Sequence, residues 1–328
     1  MYDVITVGSA TVDAFAYTER SKVIKVEKRA KEQDFIAYPS GTKILLNRLL
    51  FMTGGGGTNT AVAFSRLGLK TAFLGSIGSD GHGNAIVKEL KNEKVDFIGQ
   101  RSKKEASGFS IILDSIEHDR TILVFLGANK SLQLSDINMG KVTAKWFYFS
   151  SMVGKSYKAI EELSRHAKKN GINIAFNSGS YLVGKGKKYL SRVLFSTRIL
   201  FLNKEESEAL VGNGDMMNMM QKLHKLGPEI ITITNGREGA YASDGKSLYF
   251  APAHKIKVVE TTGAGDAFAS GFLAGFIKKN DIKFGLKLGI ANAESVLSYY
   301  GAKNRLLKWN KALSVLKRGN EKIKMKAL

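Results

Sequence analysis

The run Glu260-Thr261-Thr262-Gly263-Ala264-Gly265-Asp266-Ala267-Phe268 joins small residues to one carboxylate at the head of a helical pattern. A turn of Thr, Gly and Ala lets backbone N–H groups converge on an anion, and a helix N-terminus adds positive potential there. Asp266 then stands where a substrate hydroxyl could lose its proton; a Gly-rich turn with an acid in the first helical turn is the alternative. Behind it Phe268, Gly271, Phe272 and Gly275 recur at helical spacing and give one close-packing apolar face. A second run, Gly54-Gly55-Gly56-Gly57-Thr58-Asn59, permits close backbone approach to a ligand and hinge motion. Asp13 follows the first strand, where acids at strand ends face the ligand crevice of α/β folds; an Asx turn is the alternative.

These groups need elements to position them. Short apolar runs alternate with amphipathic helical stretches, the pattern of a parallel sheet with helices on both faces. Strands are expected over 2–8, 71–74, 146–150, 173–176, 199–202, 229–234 and 240–242. Helices are expected over 59–67, 82–90, a stretch burying Ile160, Leu163 and Ala167, 205–210, 216–226, 264–277, 282–299 and 308–318. Two segments break the alternation. Residues 14–53 mix charge with β-prone residues, and 108–125 read as two strands around the polar turn Glu117-His118-Asp119-Arg120. Both could pair into a small sheet outside the main layer.

The motif T-T-G-A-G-D-A-F at 261–268 resembles the C-terminal signature of the ribokinase-like (PfkB) family of carbohydrate and nucleoside kinases. The glycine run at 54–57, continuing into Thr58-Asn59-Thr60-Ala61, resembles the family's N-terminal di-glycine signature. The resemblance spans Val4 to about Lys303 and implies a three-layer α/β/α sandwich with a mostly parallel sheet and a small β-sheet lid. The chain then reads as one kinase domain over 1–328, with inserted lid segments at about 14–53 and 106–126.

What the resemblance implies can be stated residue by residue. Asp266 is the general base, and Gly263, Ala264 and Gly265 form the anion hole. The acid is expected to stay ionised at neutral pH, since the helix N-terminus and Mg²⁺ both favour negative charge. Gly54 and Gly55 are hinge and substrate contacts, Asn59 bonds acceptor hydroxyls, and Asp13 grips the sugar. The family has N-x-D there, and this chain has Thr11 in place of the Asn. Arg120, in Asp119-Arg120-Thr121, meets the acceptor or its phosphate, and Gly127-Ala128-Asn129 resembles the G-A-N that follows. Asn203-Lys204-Glu205-Glu206 resembles N-x-x-E, in which Glu206 helps to place Mg²⁺ through water; the same spacing is a helix capping pattern. Thr234-Asn235-Gly236-Arg237-Glu238-Gly239 resembles the nucleotide loop T-x-G-x-x-G, where Thr234, Gly236 and Gly239 would meet ATP. A plain turn explains that loop as well. Asn292 is a candidate contact beside the adenine, and ordinary helix packing is the alternative. Glu260 stands where the family usually has Asp, bordering a monovalent-cation site, so K⁺ is a candidate cofactor that this longer carboxylate puts in question.

Composition narrows the alternatives. The chain has 328 residues, 44% of them hydrophobic, enough for a sizeable core. No stretch approaches the roughly 18 uninterrupted apolar residues of a membrane span. The N-terminal residues read at once as a strand, so secretion is not expected, and the absence of cysteine suits a cytoplasmic enzyme. The net charge of +21 is carried mainly by dispersed lysines without a recognition motif, so no nucleic-acid partner is expected. A P-loop is absent, because Gly245-Lys246-Ser247 has Ala240 where the first glycine should stand. G-x-G-x-x-G fails at Phe268 and at Asn59. The expected activity is ATP- and Mg²⁺-dependent phosphorylation of a sugar. A nucleoside (adenosine, inosine or cytidine) or a sugar phosphate is the alternative acceptor; the resemblance offers a homodimer through the lid as a candidate assembly, which the polarity of the lid edge does not decide. A sensor that retains the fold without catalysis would lack Asp266 or the glycine cradle, and both are present.

Overall fold

Strands at the centre of this chain are apolar on both sides: within 144–149, Phe147 and Phe149 enter one core and Trp146 and Tyr148 the other. A strand with two buried faces must be sandwiched between helix layers. The computed structural model describes residues 1–28, 31–114, 120–318 and 323–328. From the N-terminus come β1 (Tyr2–Val7), β2 (Thr11–Tyr17), β3 (Lys22–Lys28), β4 (Lys31–Ala37), β5 (Arg48–Gly54), α1 (Gly56–Arg66), β6 (Thr71–Leu74), β7 (Ser76–Gly78) and α2 (Gly81–Asn92). Next are β8 (Val95–Phe97), β9 (Gln100–Ser102), β10 (Gly108–Asp114), β11 (Arg120–Phe125) and β12 (Ala144–Phe149). Helices then alternate with strands: α3 (Lys155–Asn170), β13 (Asn173–Asn177), α4 (Gly179–Val183), α5 (Lys187–Phe195), β14 (Ile199–Asn203), α6 (Lys204–Val211), α7 (Met216–His224) and β15 (Ile230–Thr234). The chain closes with β16 (Gly239–Ser243), β17 (Ser247–Pro252), α8 (Ala264–Lys279), α9 (Ile282–Leu297), α10 (Trp309–Arg318) and β18 (Lys324–Ala327).

The large sheet runs β18-β17-β16-β15-β14-β13-β12-β1-β6-β8, parallel from β8 through to β15 and antiparallel thereafter. One face is covered by α3, α5, α6 and α7, whose Ile160, Leu190, Leu210 and Met220 meet Ile5, Phe147 and Ile231. The other is covered by α1, α8 and α9, through Phe64, Phe268, Phe272 and Leu286. Helices α8 and α9 pack glycine on glycine: a Cβ at Gly271 would lie 2.9 Å from Gly289 Cα, and one at Gly275 would lie 3.0 Å from Gly285 Cα. The chain leaves β1 for β6 and β8 on one side, then crosses to β12 and onward on the other. Strand order therefore reverses between β1 and β12, and the crevice at their C-terminal ends is where such a sheet takes a ligand.

A separate four-stranded sheet, β11-β10-β2-β5, pairs β2 with β10 in parallel and β2 with β5 antiparallel. It begins at Thr11, earlier than the sequence pattern marked, because Thr11 and Val12 already pair with Gly54 and Thr53. Strands β3 and β4 form their own two-stranded hairpin sheet. The turn Glu117-His118-Asp119 lies outside the described residues. Helices α4 and α5 and strands β17 and β18 have no counterpart in the sequence pattern.

Candidate active site

The end of β1 anchors the first glycine run. Ser9 accepts the N–H groups of Gly57 (3.0 Å) and Thr58 (3.4 Å) on its carbonyl and that of Gly56 (3.2 Å) on its hydroxyl. This docks the N-terminus of α1 on the crevice. Gly55 lies at φ +93, and a Cβ there would stand 2.6 Å from Ser9 O, so the approach excludes any side chain. At Gly54 the added carbon would stand 1.9 Å from Asp13 Oδ2. Gly54 therefore lies directly against Asp13, whose Oδ1 accepts the Thr11 hydroxyl at 2.9 Å. Burial raises the Asp13 carboxyl above its ordinary range, while the hydroxyls of Thr11 and Ser110 and the charge of Lys303 oppose the rise.

Helix α1 carries Asn59 inward, 6% exposed, and its Nδ2 donates to Asp266 Oδ2 at 2.9 Å. A carboxylate only accepts, so the amide orientation is fixed by that bond. Asn59 Oδ1 is consequently a buried acceptor, and it has no hydrogen-bond partner among the described residues. Asp266 is the third residue of α8, which begins after Gly263 in the left-handed conformation at φ +80. The Ala264 N–H bonds Thr261 O at 3.3 Å. The first-turn amides of Gly265 and Asp266 have no carbonyl within the helix to bond. A Cβ at Gly56 would stand 3.4 Å from Asp266 Oδ1, so the N-termini of α1 and α8 converge on one carboxylate. Half-burial nonetheless raises the Asp266 carboxyl above its ordinary value, against the Asn59 bond and the Lys303 charge. Desolvation, which the sequence pattern does not carry, outweighs the groups that favour the charged form. Tyr148 lies close by, its phenol pushed well up by burial and then by the Asp266 charge.

The nucleotide-side motifs end neighbouring strands, with Asn203 of β14 paired to Thr234 of β15. Asn203 Oδ1 accepts the Glu206 N–H at 2.7 Å, and Glu206 Oε2 accepts the Asn203 N–H at 3.0 Å. Ser180 donates to Glu206 Oε1 at 2.9 Å. The capping box is therefore formed, and both oxygens of the buried Glu206 already hold partners. In the following loop Gly236, at φ +49, has open space where a Cβ would go. Gly239 differs: a carbon there would lie 2.2 Å from Ala251 O. Asn292 stands apart, fully buried, with Nδ2 on Ala267 O (2.8 Å) and Oδ1 accepting the Leu307 N–H (3.0 Å). Its amide is used in packing α9 on α8 and shapes the wall by position alone. Arg120 opens β11, and its side chain lies outside the described residues. Glu260 Oε1 folds back on its own turn, accepting the N–H groups of Thr261 (2.9 Å) and Thr262 (3.0 Å) and the Thr262 hydroxyl (2.8 Å).

A cleft of about 700 Å³ separates the small sheet from the body, lined by Phe15, Arg48 and Ile112 on one side and Arg237, Glu260 and Thr261 on the other. Asp266 does not line this cleft; it sits against Asn59 and Gly56, in the first turn of α8. Two residues at the site carry roles beyond what the sequence pattern assigned. Asn129, within the G-A-N motif, exchanges two 2.8 Å hydrogen bonds with the Ala10 backbone and pins the crossing from β1 to β2. Lys303 is buried at 6% exposure with its ammonium on Glu89 and Thr53, a pairing across more than 200 residues that no local signal announces.

Solved structures share this fold. A ribokinase from Arabidopsis thaliana complexed with ribose and ATP superposes with a TM-score of 0.81 at 22% identity, covering 96% of this chain and 99% of that one. An adenosine kinase from Sinorhizobium meliloti superposes at 0.80 and 23% identity, with coverage of 96% and 99%. In sequence, a 5-dehydro-2-deoxygluconokinase from Bacillus licheniformis is 29% identical over 273 residues, 76% of this chain and 82% of the relative. An ATP-dependent 6-phosphofructokinase from Thermoanaerobacterium thermosaccharolyticum is 26% identical over 258 residues, 76% of this chain and 80% of the relative. The pfkB family carbohydrate kinase model matches residues 1–309. The chain thus belongs to the pfkB family of carbohydrate kinases, phosphotransferases that take an alcohol as acceptor.

Proposed function

We propose that this kinase transfers the γ-phosphoryl group of ATP to a hydroxyl of a sugar, with Asp266 as general base and the Gly263-Ala264-Gly265 turn as anion hole. The observation that carries it is the Asn59–Asp266 pair: one amide steers the carboxylate through Nδ2 and leaves Oδ1 as a buried, unpartnered acceptor. Such an atom is costly to bury unless a ligand hydroxyl completes it. Asp266 takes the hydroxyl proton as the new O–P bond forms and the bond to the departing diphosphate breaks. First-turn amides of α8 receive the phosphoryl oxygens, and the amide dipoles of α1 and α8 add positive potential. A carboxyl raised by burial is the stronger base of its kind. Asp13, held by Thr11 and set against Gly54, grips further hydroxyls of the acceptor. The small sheet acts as a lid on the Gly54-Gly55 hinge and keeps water from the phosphoryl group.

Bound Mg²⁺ neutralises phosphate charge. Both Glu206 oxygens are engaged, so Glu206 would hold the ion through water, a mode that suits a cation reluctant to shed its hydration. Thr234 and Gly236 form the nucleotide loop. Glu260 Oε1 is committed to its own turn, so K⁺ is expected to change turnover little. One observation favours a nucleoside acceptor as a second reading: Phe15, Tyr17, Leu50 and Ile112 give the cleft an apolar wall suited to a base. A phosphorylated sugar would instead use Arg48 and Arg237. The outer lid face exposes Leu49, Phe51, Ile111, Leu123 and Phe125, which suits a second copy of this chain in a lid-to-lid dimer. An ATP-consumption screen over pentoses, hexoses, their phosphates and nucleosides, with and without K⁺, tests the assignment. ATP turnover that no acceptor stimulates would refute it.

A further inference from the structure

A lysine is almost never fully buried unless paired. Lys303, in the loop after α9, donates to Glu89 Oε2 of α2 at 2.7 Å and to Thr53 Oγ1 of β5 at 2.9 Å, and the Thr53 hydroxyl also bonds Glu89. Its backbone carbonyl accepts Arg66 Nη1 of α1 at 2.6 Å, and Arg66 forks onto Glu93 of α2 at 2.9 and 2.6 Å. The residue is therefore held at both ends. Thr53 immediately precedes Gly54 and Gly55, and it pairs in register with Val12, the neighbour of Asp13. One ammonium thus joins the last strand of the small sheet, helix α2 and the C-terminal loop at the point where a lid must pivot.

We propose that Lys303 is a positioning residue for phosphoryl transfer: its ammonium pins the strand entering the Gly54-Gly55 hinge to α2 and stands as fixed positive charge behind Asp13 and Asp266. The groups that face this ammonium are Glu89 and Glu93 from α2, Asp13 from β2 and Asp266 from α8, with Arg66 of α1 the neighbouring cation. Tyr148 of β12 faces Asp266 from the other side. Burial lowers the Lys303 ammonium below its ordinary range, and the acids around it oppose that without cancelling it. Burial likewise disfavours ionised Asp13 and Asp266, and Lys303 is the charge that opposes this at both. The role assigned to Asp266 rests on the proposed function; the contacts of Lys303 do not.

The test is the pH profile of kcat/KM in the full chain, measured with ATP and whichever acceptor the screen selects. Lys303→Met removes the cation and leaves the half-buried Glu89 with only the Thr53 hydroxyl as partner, which can weaken folding. The Lys303→Met/Glu89→Gln double variant removes both members of the ion pair, and replacing both partners of such a pair is often neutral for stability. In the double variant the acid limb is expected to move to higher pH, and plateau kcat to fall roughly tenfold or more as the hinge strand loses its register. Glu89→Gln alone leaves the Lys303 ammonium its Thr53 bond and the charges of Asp13 and Glu93, and with the cation so held the acid limb is expected to stay where wild type has it. A double variant with the wild-type profile and plateau overturns the proposal, as does an acid limb displaced equally in Glu89→Gln. Asp266→Asn is assayed in parallel. Full turnover there refutes the base assignment, whereas an inactive Asp266→Asn beside an unperturbed double variant refutes the role of Lys303 alone.

Discussion

Gly265→Ala separates what the glycine turn does for folding from what it does for chemistry. Gly265 is the second residue of α8, its backbone is outside the left-handed region, and a Cβ built there meets nothing within 4 Å. Alanine is preferred over glycine in a helix by up to about 1 kcal/mol, and less in a first turn. The variant should therefore fold as well as wild type, with a Tm unchanged or raised by about 1–3 °C. Side chains on a helix tilt toward its N-terminus, so the new methyl would project over the amides proposed to receive the phosphoryl oxygens. Displacing a reacting group by about 1 Å costs on the order of 10²-fold, and losing one preorganised donor roughly 10²–10³-fold. We expect kcat/KM for ATP to drop by about 10² or more, about 2.7 kcal/mol of lost transition-state stabilisation, by coupled ADP release alongside calorimetry. Gly263→Ala would not serve, because φ +80 and a 2.3 Å approach to Ala302 Cβ would damage the fold itself. Wild-type kcat/KM in a normally folded Gly265→Ala would refute the anion-hole reasoning.

Other consequences follow from the same geometry. In Gly54→Ala the methyl must push Asp13 aside by more than an ångström, so KM for the acceptor should rise about 10²-fold while KM for ATP holds; equal effects on both would contradict the placement of Asp13. Glu206→Gln preserves the capping pattern, so Tm should change little, while KM for Mg·ATP rises about tenfold or more. The folded Asp266 carboxyl keeps its proton to higher pH than the unfolded chain, so its contribution to stability falls as pH rises through that window. Asp266→Asn should accordingly melt above wild type at neutral pH, the gap closing toward the ordinary value of 3.8. Phe51→Lys should convert a sedimenting dimer to monomer; a wild type that sediments as a monomer at micromolar concentration would argue against the lid interface.

The main sheet was legible because its strands are short, apolar and β-branched or aromatic, as in 199–203 and 230–234, between helices with a clear stripe such as Ile160, Leu163 and Ala167. The turn at 263–266 was legible through its family resemblance and its partner motif at 54–59, since glycine, alanine and one acid at a helix start also make an ordinary turn. Helix α5 was hidden by Lys187 and Lys188, which open it and obscure the stripe Leu190, Val193, Leu194. Strand β18 reads as a charged tail, and only its pairing with β17 makes it a strand. Asn292 illustrates the limit of motif reading, since the amide that looked available to a ligand is consumed between two helices. Lys303 was invisible for a different reason. In a chain with 50 basic residues, one lysine is distinguished only by the acid, the hydroxyl and the hinge it meets in three dimensions.

The most direct test of the account is single-turnover phosphoryl transfer by Asp266→Asn, with ATP and acceptor affinities measured on the same preparation. Retained affinities with a rate roughly 10²–10⁴-fold below wild type are predicted, the loss typical of a missing general base. Transfer at the wild-type rate would contradict the claim that this carboxylate takes the proton.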